Sequence, residues 1–146
     1  MKLSFPPVIA LVCILVQILL YSLIPLTINL SILMGLFLLF PSIGIIFLAF
    51  KELNKHETTI YPDGEPDFLV MTGPFKFSRN PIYLGMFGII LAVAFLMQSL
   101  SSLMIPVLFI LILENTWISH EEKKLKEKFN SEWDNYCAQT PKWIWK

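Results

Sequence analysis

The sequence has few of the groups on which soluble catalytic centres are built. Its only cysteines, Cys13 and Cys137, share no close spacing, which argues against a disulfide framework or a zinc knuckle. Its only histidines, His56 and His120, stand apart among scattered carboxylates, a pattern that belongs to solvated surface more than to a metal centre. Charge is the most telling absence. No Asp, Glu, Lys or Arg occurs from Leu3 to Phe50, and none from Ile82 to Leu113. The formal net charge is zero and no basic stripe runs along the chain, so nucleic acid is not an expected partner.

What remains is apolar. A hydrophobic content of 55 % with only 15 % charged residues is outside the range of soluble domains and points to a membrane. As one straight helix the first uncharged block would extend roughly 70 Å at about 1.5 Å per residue, more than twice the ~30 Å hydrocarbon layer, so it must turn back. The polar stretch Pro25 to Ser31 supplies the hinge, giving spans near residues 6–24 and 32–50, with Pro41 and Gly44 bending the second. The second block predicts two short spans, near 81–97 and 103–117, around the turn Gln98 to Ser102. Lys2 ahead of an apolar run is the start of a signal peptide in other contexts, but no small-x-small cleavage site follows, and the segment reads as a retained anchor.

Every basic residue falls at the N-terminus, in the central segment 51–80, or in the tail 118–146, and neither short turn has one. By the positive-inside rule those three regions are cytoplasmic, which an even number of spans permits. The fold expected is therefore all-α and integral to the membrane: four transmembrane helices in two hairpins, one domain over 1–146, both termini cytoplasmic. A C-terminal amphipathic helix lies along the interface. In it Leu125, Phe129, Trp133 and Tyr136 share one side, Asn130 and Ser131 break the helix, Ser131 and Asp134 resemble a capping box, and Trp143, Ile144 and Trp145 form an aromatic anchor. The central segment carries two β-prone runs, Thr58 to Tyr61 and Phe68 to Met71, around the turn Pro62 to Pro66. They predict a small hairpin or an ordered loop able to cover the membrane face.

Two polar constellations flank the second apolar block. In the first, Pro81 suits the first turn of a helix and Asn80 its N-cap; alone, RNPIY is an ordinary helix start with an interfacial Arg and Tyr. The same geometry offers unpaired amides and Arg79 to a carboxylate, with Phe75, Phe77 and Tyr83 able to stack on a purine. In the second, Glu121 and Glu122 open a lysine-rich helix, where Glu122 and Lys126 form a common i,i+4 pair. Their functional reading is a pair of anions facing a cationic ligand or a ribose diol.

LVMTGPFKFSRNPIYLG, followed after one helical hairpin by EEKKLKEKFNSEWDNYCAQTPKWI, resembles the isoprenylcysteine carboxyl methyltransferase family and its phospholipid N-methyltransferase relatives. The likeness covers Leu69 to Ile144. It implies S-adenosylmethionine as methyl donor, held between the last helical hairpin and the tail. Around it the resemblance sets Leu69, Val70, Phe75, Asn80, Pro81, Ile82, Tyr83 and Glu121, with Glu122 as the partner of Glu121. Phe75 stands where a tyrosine is usual, and Trp117 where prenylcysteine-methylating members carry an arginine, a departure that counts against a prenylcysteine carboxylate as acceptor. The acceptor expected is a lipophilic small molecule or lipid, reached from the bilayer. Methyl transfer from a sulfonium needs alignment and a dry pocket more than an acid–base pair, so the lack of a catalytic triad is no objection. Two alternatives stand beside this reading. One is an NADPH-dependent membrane reductase of the sterol type, which shares an RNPxYLG motif and a tail echoed by Trp133, Tyr136 and Cys137. The other is a non-enzymatic membrane scaffold.

Overall fold

The computed structural model describes residues 6–58, 64 and 66–144. Among these the architecture is helical, with no strand. Its elements are α1 (Pro6–Leu23), α2 (Ile32–Lys55), a 3₁₀ turn (Gly73–Lys76), α3 (Pro81–Leu96), a second 3₁₀ turn (Ser101–Leu103), α4 (Met104–Leu113), a π turn (Glu114–Ile118) and α5 (Ser119–Gln139). Three helical stretches are long and apolar enough to cross a membrane: α1, α2 and the continuous run Ser101–Gln139. α3 is apolar but shorter, 16 residues.

α3 is the centre of the bundle. Ile90, Ala92 and Ala94 are fully buried, and α1, α2 and α4 surround it. The outer helices expose Leu11 and Leu15, Phe37, Phe40 and Phe47, and Val107 and Leu111 to at least half of their surface. So large an apolar belt fits hydrocarbon better than water. Against α2, α3 presents Gly85 and Gly88. A methyl group added at Gly85 would sit 2.4 Å from Ile46 Cγ1 and 2.8 Å from the Ser42 carbonyl oxygen, and one at Gly88 2.0 Å from Ser42 Oγ. Small residues of this kind let membrane helices approach until their backbones touch. Gly85→Val is therefore expected to cost about 1–3 kcal/mol through overpacking, read as a lower melting midpoint of the detergent-purified protein.

The two hairpin turns meet at one end of the bundle. Ile28 N–H donates to the Gln98 carbonyl (2.9 Å), Leu100 N–H to Leu26 (2.9 Å), and Thr27 bridges Ser99. Beneath them the fully buried Gln17 of α1 donates from Nε2 to the carbonyls of Ile90 (3.0 Å) and Ser102 (3.1 Å), pinning α1 to the second hairpin.

Several expectations change. α2, with Pro41 inside it as expected, runs past residue 50 to Lys55, because its last turn is polar and can leave the apolar layer as helix. Of the expected hairpin or ordered loop, the first run lies largely outside the described residues, and the second, Phe68 to Met71, takes the loop form. There Thr58 Oγ1 accepts the N–H groups of Asp67 (3.1 Å) and Phe68 (3.4 Å), ordering the segment without a ladder. The tail does not begin as a separate helix: α4 passes through the π turn into α5, and the break expected at Asn130 is present as a kink (φ 46°, ψ −113°).

Candidate functional site

At the end of the bundle opposite the paired turns, the central segment and the tail are bound to each other. Gly73 takes φ +58°, a left-handed conformation that favours glycine, and the 3₁₀ turn after it buries Phe75. Ser78 Oγ donates to the carbonyl of Lys142 (3.0 Å), as does Asn80 Nδ2 (3.1 Å), while Arg79 N–H donates to Pro141 (3.0 Å). Pro81 begins α3 as expected. Asn80 precedes it but its side chain makes no capping bond, because the returning tail offers that amide a carbonyl instead.

The acids at the start of α5 reach this entrance. Tyr83 Oη donates to Glu121 Oε1 at 2.6 Å, and Arg79 Nη2 to Glu122 Oε1 at 2.9 Å. Lys142 Nζ lies 3.4 Å from the other oxygen of Glu122. Arg79 also donates to the carbonyls of Thr140 (3.4 Å) and Cys137 (3.5 Å) and lies over the Trp133 ring, 5.5 Å from its centroid. The expected Glu122–Lys126 pair does not form. Glu122 turns inward to the less exposed Arg79, and Lys126 pairs with Asp134 across the Asn130 kink. That ion pair also engages the side chain expected to close the capping box.

The aromatic side of the tail faces protein. Trp133 and Tyr136 are buried against Leu69, with Met71, Leu125 and Phe129 around them. Tyr136 Oη donates to the Phe75 carbonyl at 2.7 Å. It lies in the polar tail, where burial holds its phenol above the usual range, only partly opposed by Arg79, so it remains a donor at neutral pH. Trp143, expected as an interfacial anchor, is buried in the main core and donates its indole N–H to Glu114 Oε1 at 3.0 Å. Ile144 is exposed, and Trp145 lies outside the described residues.

These elements line a cavity of about 160 Å³. Leu69, Val70, Phe75, Arg79, Asn80, Pro81, Ile82, Tyr83, Glu121 and Glu122 all line it. Phe77, considered for stacking, does not; it is 74 % exposed. Sequence reasoning missed Pro6, Phe50, Leu53 and Met86 on the apolar side, and the cavity-facing role of Trp133 and Tyr136. The first group carries no signal, being generic apolar residues of membrane helices. The aromatics were visible at helical spacing, but that spacing does not tell a lipid-facing stripe from a protein-facing one. Trp117 packs in the core with Tyr83, Met86 and Trp143.

The cavity thus combines two acids, an arginine, a lysine and apolar walls at one end of a membrane bundle. A family model described as phospholipid methyltransferase matches residues 30–132, most of the chain and both constellations. The chain belongs to the phospholipid methyltransferase family. Membership implies methyltransferase activity in a membrane, and the match gives no support to the reductase alternative. No curated protein matches the sequence. In this phospholipid methyltransferase family member the matched stretch stops at Glu132, so the tail residues that complete the cavity, Trp133 and Tyr136, lie beyond it.

Proposed function

We propose that the protein transfers a methyl group from S-adenosylmethionine to a lipophilic or lipid-borne acceptor at the cytoplasmic face of the membrane. One observation carries the reading: the RNPIY entrance and the twin acids, 38 and 43 residues apart in their two contacts, pair side chain to side chain in the wall of one cavity. The residues present fit the donor molecule. Glu121 and Glu122 supply anions for its cationic and ribose groups. Arg79 lines the cavity with a guanidinium whose positive charge suits a carboxylate. Leu69, Val70, Phe75 and Tyr83 offer apolar and aromatic walls for a purine. When bound, S-adenosylmethionine supplies an electrophilic methyl on a sulfonium, whose leaving thioether needs no proton. The chain's part is to hold, align and exclude water, which the buried tail aromatics and the apolar walls accomplish.

In the same reading α3 is a fourth span. Its 16 residues reach about 24 Å, a mismatch of a few ångströms that bilayer thinning accommodates. Four spans in two hairpins put the lysine-rich regions and both termini in the cytoplasm, with the lysine face of α5 at the interface. Pro6, Phe50, Leu53 and Met86 then form the side of the cavity nearest the bilayer, where the acceptor arrives.

Incubating the detergent-purified protein with methyl-labelled S-adenosylmethionine and a total membrane lipid extract tests this. Label should enter an extractable lipid, and the labelled species identifies the acceptor. Labelling no greater than with heat-denatured protein would refute the reading.

A further inference from the structure

The last apolar helix is not uniformly α. Along it Pro106, Phe109, Leu113 and Ile118 are fully buried, the last step being five residues, and Trp117 is buried beside Ile118. Four residues return a side chain close to the same face of an α-helix at about 100° per residue, whereas five carry it well past. The π turn Glu114–Ile118 takes up the extra residue and restores the face. The local sequence suits it. Asn115 Nδ2 donates to the Leu111 carbonyl (2.7 Å) and Thr116 Oγ1 to that of Ile112 (2.5 Å), so side chains serve carbonyls at the point where the regular ladder changes. Glu121 and Glu122 follow Ile118 by three and four residues and inherit its face, toward Tyr83 and Arg79. Glu114 opens the turn, and its carboxylate accepts the indole N–H of Trp143, the residue next to the Lys142 carbonyl held by Ser78 and Asn80.

We propose that this π turn, fastened by the Glu114–Trp143 hydrogen bond, sets the rotational register of Glu121 and Glu122. Glu114 and Trp143 are thus positioning residues for a site neither of them lines. The inference rests on the proposed cofactor reading for its consequence, but not for its structural content. Removing one residue from the turn rotates everything downstream by about 100° and carries both acids away from their partners. Removing the fastening lets the turn and the docked tail relax, and the acids lose their alignment without losing their charge.

The test uses the full chain in detergent with Cys13 and Cys137 replaced by alanine and Ile118 replaced by cysteine. Residue 118 should be protected from a polar thiol reagent in the parent register and become reactive when Asn115 is deleted or when Glu114→Leu is introduced. In the unlabelled native-cysteine background, S-adenosylmethionine binding is measured by calorimetry. Glu114→Leu and Trp143→Phe should each weaken affinity on the order of tenfold. Their double variant should weaken it no further, and Glu114→Gln, which keeps an acceptor oxygen, should bind within about twofold of the parent. A merely structural role would not produce rescue by glutamine together with non-additivity. Protection of residue 118 unchanged by the deletion and by Glu114→Leu would overturn the proposal. So would parent-like affinity in Glu114→Leu under conditions where Glu121→Ala loses binding. A parent protein that binds no S-adenosylmethionine would instead refute the cofactor reading, and the labelling pattern would still decide the register.

Discussion

Glu121→Ala should lower S-adenosylmethionine affinity on the order of a hundredfold, the range for losing a charge-assisted contact in a water-poor site, while the protein stays inserted and folded. Glu121 receives the Tyr83 hydroxyl at 2.6 Å in the cavity wall, so its carboxylate is oriented before any ligand arrives. Truncation removes that oriented anion and one acceptor of the Tyr83 hydroxyl, and leaves in place the contacts of Ser78 and Asn80 that hold the entrance to the tail. The change should therefore appear in binding far more than in melting. Glu121→Gln separates charge from shape: it keeps an acceptor for Tyr83 but not the anion, and should fall between parent and alanine. Calorimetry in detergent measures both, and parent-like binding by Glu121→Ala would remove this residue from the site.

Arg79→Ala is the second large effect, and it should reach stability as well as activity. The Arg79 and Glu122 side chains are only 12 % and 23 % exposed, and the same guanidinium serves the carbonyls of Cys137 and Thr140. Its removal leaves Glu122 with Lys142 alone and frees one fastening of the tail. Breaking a fully buried pair costs several kcal/mol; with this residual exposure a loss of about 2 kcal/mol is expected. Methyl transfer should fall with it. Arg79→Lys should not restore the parent, since one ammonium cannot serve a carboxylate and two carbonyls in a fixed fork. Melting midpoints of Arg79→Ala, Glu122→Gln and their double variant give the coupling directly. Additive losses would show that the two groups do not act together.

The sequence made the apolar segments legible because membrane spans declare themselves by missing charge, and α1, α2 and α3 begin at the expected residues 6, 32 and 81. It also drew attention to residues that the fold brings into one cavity wall, since both constellations are polar groups at the edges of apolar blocks, where an unexplained charge or amide stands out. What stayed hidden was pairing and rotation. Glu122 had a plausible local partner in Lys126, and only the tertiary fold offers it the less exposed Arg79. Trp143 looked like an anchor because sequence cannot tell a tryptophan meeting lipid from one whose indole meets Glu114. Asn80 looked like a cap until a carbonyl from 62 residues away took its amide. The π turn could have been suspected from ENT, three polar residues at the end of an apolar run, but the five-residue step from the fully buried Leu113 to Ile118 needs burial to be known.

The most direct test of the central claim is ultraviolet cross-linking of labelled S-adenosylmethionine to the purified protein, followed by peptide mapping. Adducts are expected on the peptides spanning 69–83 and 119–136, suppressed by unlabelled S-adenosylhomocysteine and not by NADPH. Adducts confined to other segments, or equal suppression by NADPH, would contradict a methyl-donor site formed where these two stretches meet.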